Sequence, residues 1–261
     1  MIAPTGPLCT TETIAEDLRA AGVEAGETLL VHSSLRSLGW VAGGAVAVVQ
    51  ALLEVLGPHG TLVVPTLTAD NSDPAGWSSP PVPRQWWPAI RASMPAYDPL
   101  VTPSTQVGVI PESVRTWPGA LRSAHPRTSF AAVGAAAAEL TSGHAVDCKY
   151  GEQSPLARLE RAGARVLLLG TGFDTCTCFH LAEYRITGAV TTDESFAVMT
   201  PQGRQWTTVR DTATNDERFG ELGEDFARDR PVRRGTVGAA ATRLFPLADA
   251  VAYAQRWLSR T

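Results

Sequence analysis

The stretch Arg165–Tyr184, RVLLLGTGFDTCTCFHLAEY, limits the fold more than any other part of the chain. Val166 to Leu169 is an unbroken apolar run, too short for a helix and long enough for a buried strand. Gly170-Thr171-Gly172-Phe173-Asp174 follows as a tight polar loop whose two glycines can take positive φ. From about Thr175 the chain can start a helix, with Asp174 or Thr175 as N-cap. His180 and Glu183 then lie at i and i+3, on one face of that helix. A base and a carboxylate just past the end of a buried strand occupy the place where open α/β sheets usually do chemistry. The same spacing also fits a half-buried histidine on an ordinary amphipathic helix.

The pattern occurs earlier in the chain as well. Thr28–His32 (TLLVH) and Thr61–Pro65 (TLVVP) read as strands. Between them come the loop Ser33–Ser37, a glycine-rich turn to Gly44, and a helix from about Ala45 to Leu56. Val46, Val49, Leu52, Leu53 and Leu56 form its apolar stripe, and Gly57-Pro58 ends it. Strand, loop, helix, strand is a βαβ unit. Thr11–Ala21 precedes it as a helix stopped by Gly22. Residues 66–104 break the pattern: they are rich in proline, contain Trp77, Trp86 and Trp87, and read as a long functional loop. Val107–Trp117 reads as a short helix and the alanine-rich Ala131–Leu140 as a helix start. Ser154-Pro155 is an N-cap and N1 pair for a helix to about Arg161. Thr191–Trp206 reads as a hairpin turning at Pro201-Gln202-Gly203, Asn215–Arg228 as a charged helix, Gly235–Gly238 as a turn or short strand, and Pro246–Ser259 as the last helix. The expected fold is a single-domain, sandwich-like α/β unit: a central, mostly parallel sheet with a long irregular loop and an antiparallel C-terminal extension.

With 44% hydrophobic and 18% charged residues, the composition is that of a globular chain with a sizeable core. A net charge of -4 without a basic stripe argues against nucleic acid as a partner. No apolar run approaches the length of a membrane helix, and residues 1–10 lack the pattern of a signal peptide, so a cytoplasmic protein is expected. Cys9, Cys148, Cys176 and Cys178 are too few for a disulfide scaffold, and Cys176-Thr177-Cys178 lacks CxxC spacing. The five histidines, His32, His59, His125, His144 and His180, form no metal-binding pattern, and no metal is expected.

Eight segments in order carry a resemblance: LLVHSSLRSLGWVAGG (Leu29–Gly44), GPHGTLVVPT (Gly57–Thr66), YDPLVTPSTQVGVIPE (Tyr97–Glu112), RSAHPRTSFAAVG (Arg122–Gly134), YGEQSPLARL (Tyr150–Leu159), RVLLLG (Arg165–Gly170), FHLAEY (Phe179–Tyr184) and GTVGAA (Gly235–Ala240). Together they resemble the aminoglycoside 3-N-acetyltransferase family, a likeness running over about residues 10–260. It implies one catalytic domain over residues 1–261. The reaction implied is acetyl transfer from acetyl-CoA to the 3-amino group of a 2-deoxystreptamine ring, conferring antibiotic resistance. An ammonium must lose a proton before it attacks a thioester, so a base is required. The resemblance places that role on His180. Glu183, one turn on, either orients the ring or binds a substrate ammonium. For acetyl-CoA the resemblance implies His32, Ser33, Ser34, Leu35, Arg36, Ser37, Val41, Gly43 and Gly44, with Ser104, Thr105, Ser129 and Phe130 as further contacts. Arg36 and Arg127 are the cations at hand for its phosphates. A polycationic substrate calls for acids and carbonyls: Asp70 and Asp174 rank first, and Glu152, Asp211, Glu183 and His125 are further candidates, with Asp73, Asp98 and Asp216 also in reach. The expected assembly is a monomer or homodimer.

Two other chemistries use the same residues. Cys176 or Cys178 as nucleophile with His180 as base would form an acyl-enzyme. Alternatively, the protein binds aminoglycoside or CoA without catalysis, or acetylates an amine of another class.

Overall fold

The computed structural model describes residues 6–260, so half of the N-terminal stretch read above as lacking a signal peptide falls outside it. In chain order the elements are strand β1 (Leu8–Cys9), helix α1 (Thr11–Ala21), β2 (Thr28–Ser33), β3 (Trp40–Val41), α2 (Gly44–Leu56) and β4 (Thr61–Pro65). The proline-rich excursion carries α3 (Trp87–Ser93) and returns through α4 (Val109–Arg115) to β5 (Leu121–Arg122) and β6 (Phe130–Gly134). Next come α5 (Ala137–Thr141), α6 (Pro155–Arg161), β7 (Arg165–Leu169) and α7 (Phe179–Glu183). The hairpin β8 (Thr191–Thr200) and β9 (Gly203–Thr212), helix α8 (Phe219–Asp229), β10 (Arg233–Val237), β11 (Ala240–Pro246) and α9 (Leu247–Leu258) complete the described chain.

One seven-stranded sheet organises the fold, in the order β10-β11-β7-β2-β4-β6-β5. Its three central strands, β7, β2 and β4, run parallel. Antiparallel pairs continue it on both sides, β11 and β10 beyond β7, β6 and β5 beyond β4. The α/β class with a parallel centre is therefore as the apolar runs imply, and parallel pairing stops at three strands. Each central strand is buried on both faces. Leu30, Val63, Val166 and Leu168 point into a core roofed by α5 to α9. Leu29, Val31, Leu62, Val64, Leu167 and Leu169 point into a second core under α1, α2 and α4. This two-sided burial explains why these strands carry no polar alternation.

Three local readings change. Ala131–Leu140 is not a helix start: residues 130–134 are strand β6, and only Ala137–Thr141 is helical. Ala131 and Ala132 are intrinsic helix formers, but they face opposite cores in the register that β4 imposes, so tertiary pairing overrides propensity. The helix expected from Thr175 begins at Phe179, after a 3-10 turn over Phe173–Thr175 that buries Phe173. Asp174 caps no helix there. Beyond the GTVG segment, ATRLFP forms the full strand β11 along β7, a strand hidden in the sequence by Arg243.

The proline-rich segment is tied to the body by specific hydrogen bonds along its length. Asn71 brackets Ala197 of β8, accepting from its N–H at 3.0 Å and donating to its carbonyl at 3.1 Å. Arg122 donates to the carbonyls of Thr66 (2.8 Å) and Thr102. Asp73 forms a bidentate pair with Arg91 inside the segment, and Asp98 accepts from the Leu100 N–H, so both acids are used locally.

Gly223 on α8 lies where a β-carbon would run into the Phe173 ring. Phe173 is buried at the start of the loop that leads to α7. Gly223→Ala should therefore overpack this contact and destabilise the fold by about 1–3 kcal/mol, read as a lowered urea midpoint with unchanged slope.

Candidate active site

Helix α7 is five residues long and buried along its whole length. It holds His180 and Glu183 as one hydrogen-bonded pair: His180 Nδ1–H donates to Glu183 Oε2 at 2.7 Å. The other carboxylate oxygen, Oε1, accepts the Asn215 backbone N–H at 2.8 Å. With Nδ1 as the donor, Nε2 of the neutral ring is the lone-pair nitrogen. Tyr150 stacks on the imidazole (centroids 4.6 Å apart, planes within 10°), and Phe219 packs at 4.7 Å. Two rings and a carboxylate thus fix the orientation of a single basic nitrogen.

Two cavities meet at His180. The larger, of about 770 Å³, is lined by the β2 end and its loop (His32, Ser33, Ser34, Leu35, Arg36), the approach to α4 (Gln106 to Val109, Pro111) and the β7–α7 loop (Thr171, Asp174 to Thr177). The smaller, of about 420 Å³, is lined by Arg127, Thr128, Lys149, Thr192, Glu194, Ala213 and Thr214. Leu67, Gln106, Tyr150, His180 and Asp216 border both. The site sits beyond the C-terminal ends of the parallel strands β2, β4 and β7, as expected for an open α/β sheet. Gln106 has φ of 65°, a strained backbone for a non-glycine residue, at the boundary between the cavities.

The larger cavity gathers part of the residue set expected for a cosubstrate. His32, Ser33, Ser34, Leu35 and Arg36 line it. Ser37 turns away, donating to Gly170 O at 2.9 Å. Val41, Gly43 and Gly44 belong to β3 and the start of α2, outside both cavities. Ser104 donates to Glu112 Oε2 at 2.6 Å, Ser129 donates to the Thr66 carbonyl at 2.7 Å, and Phe130 is core, so these too lie off the cavity walls. Thr105 is likewise off them; its N–H donates to Leu67 O. Arg127 faces the smaller cavity, leaving Arg36 as the cation of the larger one.

Most of the acids expected around a polycation lie elsewhere. Asp70 is exposed on a turn and Glu152 is paired with Arg185 at 2.7 Å; neither lines a cavity. Asp174 lines the larger cavity instead of the smaller. Asp211 is buried behind the smaller one, accepting the Lys149 N–H (2.8 Å) and the Tyr184 hydroxyl (2.7 Å). Glu183 has both oxygens engaged within the protein. Asp70 and Asp174 each follow the C-terminal end of a strand, a position that says nothing about which way the loop then turns. The acids that do face the smaller cavity are Glu194 and Asp216. Tyr150, Lys149, Gln106 and Glu194 carry no site signal of their own in the sequence, and Phe219 reads there only as an inward-facing residue of the 215–228 helix. Tyr150 and Gln106 lie inside two of the conspicuous segments, while Glu194 in a polar strand gave no signal.

Three other histidines are buried and neutral. His125 Nδ1 accepts the N–H groups of Arg127 and Thr128, both at 3.1 Å. His144 Nε2–H donates to Lys149 O at 2.9 Å. His32 lies 3.2 Å from the Thr177 hydroxyl. Burial, joined by the nearby His180, lowers the pKa of His32 to about 3. Burial lowers His144 to about 4 and holds His125 well below the usual range, with His144 adding to the latter. His125 therefore supports the cavity wall from behind and does not line it. Cys176 and Cys178 are buried, their sulfurs 3.4 Å apart. Burial, and then Cys176 beside it, pushes the Cys178 thiol well above its ordinary pKa.

Among the described residues no helix is long and apolar enough to cross a membrane, and no group of three His, Cys, Asp or Glu side chains is arranged to hold a metal.

Comparison with known proteins adds names to this geometry. A family model described as aminoglycoside 3-N-acetyltransferase matches residues 30–259. The SPbeta prophage-derived aminoglycoside N(3')-acetyltransferase-like protein YokD of Bacillus subtilis is 44% identical, over 95% of this chain and 92% of that one. Its crystal structure superposes with a TM-score of 0.97 at 43% identity, covering 98% of this chain and 96% of that one. A structure of AAC-IIIb as a binary complex with CoASH matches with a TM-score of 0.86, 32% identity and 97% coverage of both chains. One of AAC-VIa bound to sisomicin matches with a TM-score of 0.87 and 32% identity, over 97% of this chain and 98% of that one.

The buried histidines set an acid limit on stability. The unfolded chain binds a proton at each near pH 6.5, while His32 and His144 in the folded state do so only near 3 and 4. Between those values the unfolded state holds more protons, so stability falls as pH drops below about 6.5 and is level above it. Each histidine contributes a slope of up to about 1.4 kcal/mol per pH unit. Urea midpoints measured from pH 8 to pH 5 should be flat to about 6.5 and then decline, and His144→Asn should flatten the decline.

Proposed function

The chain belongs to the aminoglycoside 3-N-acetyltransferase family, and from that premise we propose that it transfers the acetyl group of acetyl-CoA directly to the 3-amino group of the 2-deoxystreptamine ring of an aminoglycoside. It does so as one catalytic unit over residues 1–261, in the cytoplasm, and confers antibiotic resistance. The observation that carries this reading is the meeting of two cavities at His180, whose Nδ1 is held by Glu183, so that Nε2 is the nitrogen left for a proton. A cosubstrate on one side and an amine on the other can then react in a ternary complex, with no covalent enzyme intermediate.

The larger cavity suits the cosubstrate: it is the roomier of the two, mixes apolar and polar walls, and has the Arg36 side chain in its lining. The Ser33 hydroxyl is buried there without a partner among the described residues, a donor suited to an amide or carbonyl of the bound pantetheine arm. In the reaction the acceptor nitrogen bonds to the acetyl carbon while its proton passes to His180 Nε2. The carbon–sulfur bond breaks, and the imidazolium returns the proton to the departing thiolate. Glu183 stabilises that imidazolium through Nδ1–H. Held by the Asn215 N–H as well, the carboxylate acts through the ring and leaves the substrate ammonium to other groups.

His180→Ala should lower kcat by roughly 10²–10⁴-fold, the range of general acid–base assistance, with acetyl-CoA affinity retained in a direct titration. Near-normal turnover in that variant would remove His180 as the base. Cys176 borders the larger cavity, but a thiol nucleophile is disfavoured by the burial of both sulfurs. Replacing both cysteines with serine should preserve turnover, and initial-rate lines at several amine concentrations should intersect. Loss of turnover together with parallel lines would establish an acyl-enzyme. CoA release followed with a thiol reagent, in the presence of an aminoglycoside, separates catalysis from simple binding.

A further inference from the structure

The smaller cavity has an unexpected charge for a pocket meant only for polycations. Arg127 and Lys149 both stand on its wall and share one carboxylate: Arg127 Nη1 pairs with Glu194 Oε2 at 2.6 Å, and Lys149 Nζ pairs with Glu194 Oε1. Two cations thus face one anion. The second acid, Asp216, is exposed where the two cavities join, and Glu183 is spent on His180 and Asn215. The trio of Arg127, Lys149 and Glu194 carries one positive charge in excess, and the acid that balances it across the lining is the exposed Asp216 at the junction.

The wall is also a built structure. Lys149 is only 5% exposed, a costly place for an ammonium unless it is firmly paired. Its backbone is pinned from three sides: Asp211 accepts its N–H, and His144 and the Thr128 hydroxyl donate to its carbonyl. His125 fixes the other cation by accepting the N–H of Arg127. The buried residues behind the cavity, His125, His144 and Asp211, thereby converge on holding two cationic side chains at its surface. Arg127 commits one terminal nitrogen to Glu194, its Nε is buried without a partner among the described residues, and its side chain, 30% exposed, lines the cavity. An arginine fork beside a lysine suits a phosphate, which accepts bidentate bonds and offsets the one charge Glu194 leaves unbalanced.

We propose that this wall is an anion subsite, and that beyond the acceptors named above the enzyme acetylates amines that also carry a phosphate monoester. Arg127 and Lys149 receive the phosphate, and the amine at the other end of the molecule presents its proton to His180. The acetyl-transfer step is that of the preceding section and rests on it: nitrogen–carbon bond made, carbon–sulfur bond broken, proton to His180 and then to the leaving thiolate. The subsite itself does not rest on that step, and it is tested by binding.

Glucosamine 6-phosphate and glucosamine are matched probes, one amine with and without a phosphate. In calorimetric titrations of the CoA-loaded wild-type protein, the phosphorylated sugar should bind roughly tenfold or more tightly, as charge-assisted hydrogen bonds predict. Arg127→Gln should bring the two within about threefold while leaving acetyl-CoA affinity as it was. Equal affinity of the two sugars for the wild-type protein overturns the proposal whatever any variant does. A preference that survives Arg127→Gln and Lys149→Met, with a lowered melting temperature, also overturns it and leaves the trio as a clamp on β8. So does weaker acetyl-CoA binding in Arg127→Gln with the sugar preference intact, which would assign the wall to the cosubstrate's own phosphates. CoA release is scored separately: none with any amine refutes acetyl transfer, while the binding comparison still decides the subsite.

Discussion

The hydrogen bond between His180 and Glu183 is the contact around which the rest of the molecule is arranged. A carboxylate as buried as Glu183 is stable only if its oxygens are satisfied. Here one oxygen takes the imidazole N–H and the other takes the Asn215 N–H, so α7 is bonded both to itself and to the entry of α8. Tyr150 and Phe219 close on the two sides of the imidazole, tying in the segment before α6 and the first residue of α8. Three stretches far apart in the chain are thereby committed to one imidazole ring. A five-residue helix has little stability of its own. Its geometry is imposed by the aromatic core of Phe173, Phe179, Phe219, Phe226 and Phe245 beneath it.

The sheet explains why the cavities lie where they do. Parallel strands β2, β4 and β7 end side by side, so the loops that leave them form a common rim. β2 releases Ser33 to Arg36, and β7 releases the Thr171–Thr177 loop, and together they bound the larger cavity. The smaller cavity needs a contribution from outside the sheet: the β8–β9 hairpin brings Thr192 and Glu194, anchored by Asn71 on Ala197 and by Arg127 and Lys149 on Glu194. The smaller cavity is thus closed by an appendage, while the larger one is bounded by the ends of the strands. This division lets the lining of the smaller cavity change through the hairpin and the proline-rich segment without disturbing the His180–Glu183 pair.

Elements whose burial was two-sided were legible at the level of residues. TLLVH, TLVVP and RVLLL could only be interior strands, and helices α1, α2 and α6 carried their own caps and stripes. Elements defined by a partner were not. Ala131 and Ala132 form a strand because β4 lies alongside them, and β11 is a strand because β7 is, despite Arg243. Among site residues, the pair at i and i+3 was visible because spacing within a helix is a local property. The acids were misplaced because a carboxylate's direction depends on the loop that carries it: Asp70 points to solvent, Asp211 behind the wall, Asp174 to the other cavity. Nothing local marked Glu194, which matters through two cations that lie 67 and 45 residues away in the chain.

The stretch from Arg165 to Tyr184 by itself determined a buried strand, a glycine turn, and a histidine and a glutamate one helical turn apart, because period and short-range spacing follow from backbone geometry alone. The tertiary structure decided what those two residues are. Stacking by Tyr150, the Asn215 N–H on Glu183 and the meeting of two cavities at His180 make the pair an oriented imidazole–carboxylate couple, and each of these contacts comes from a part of the chain whose approach no local rule describes.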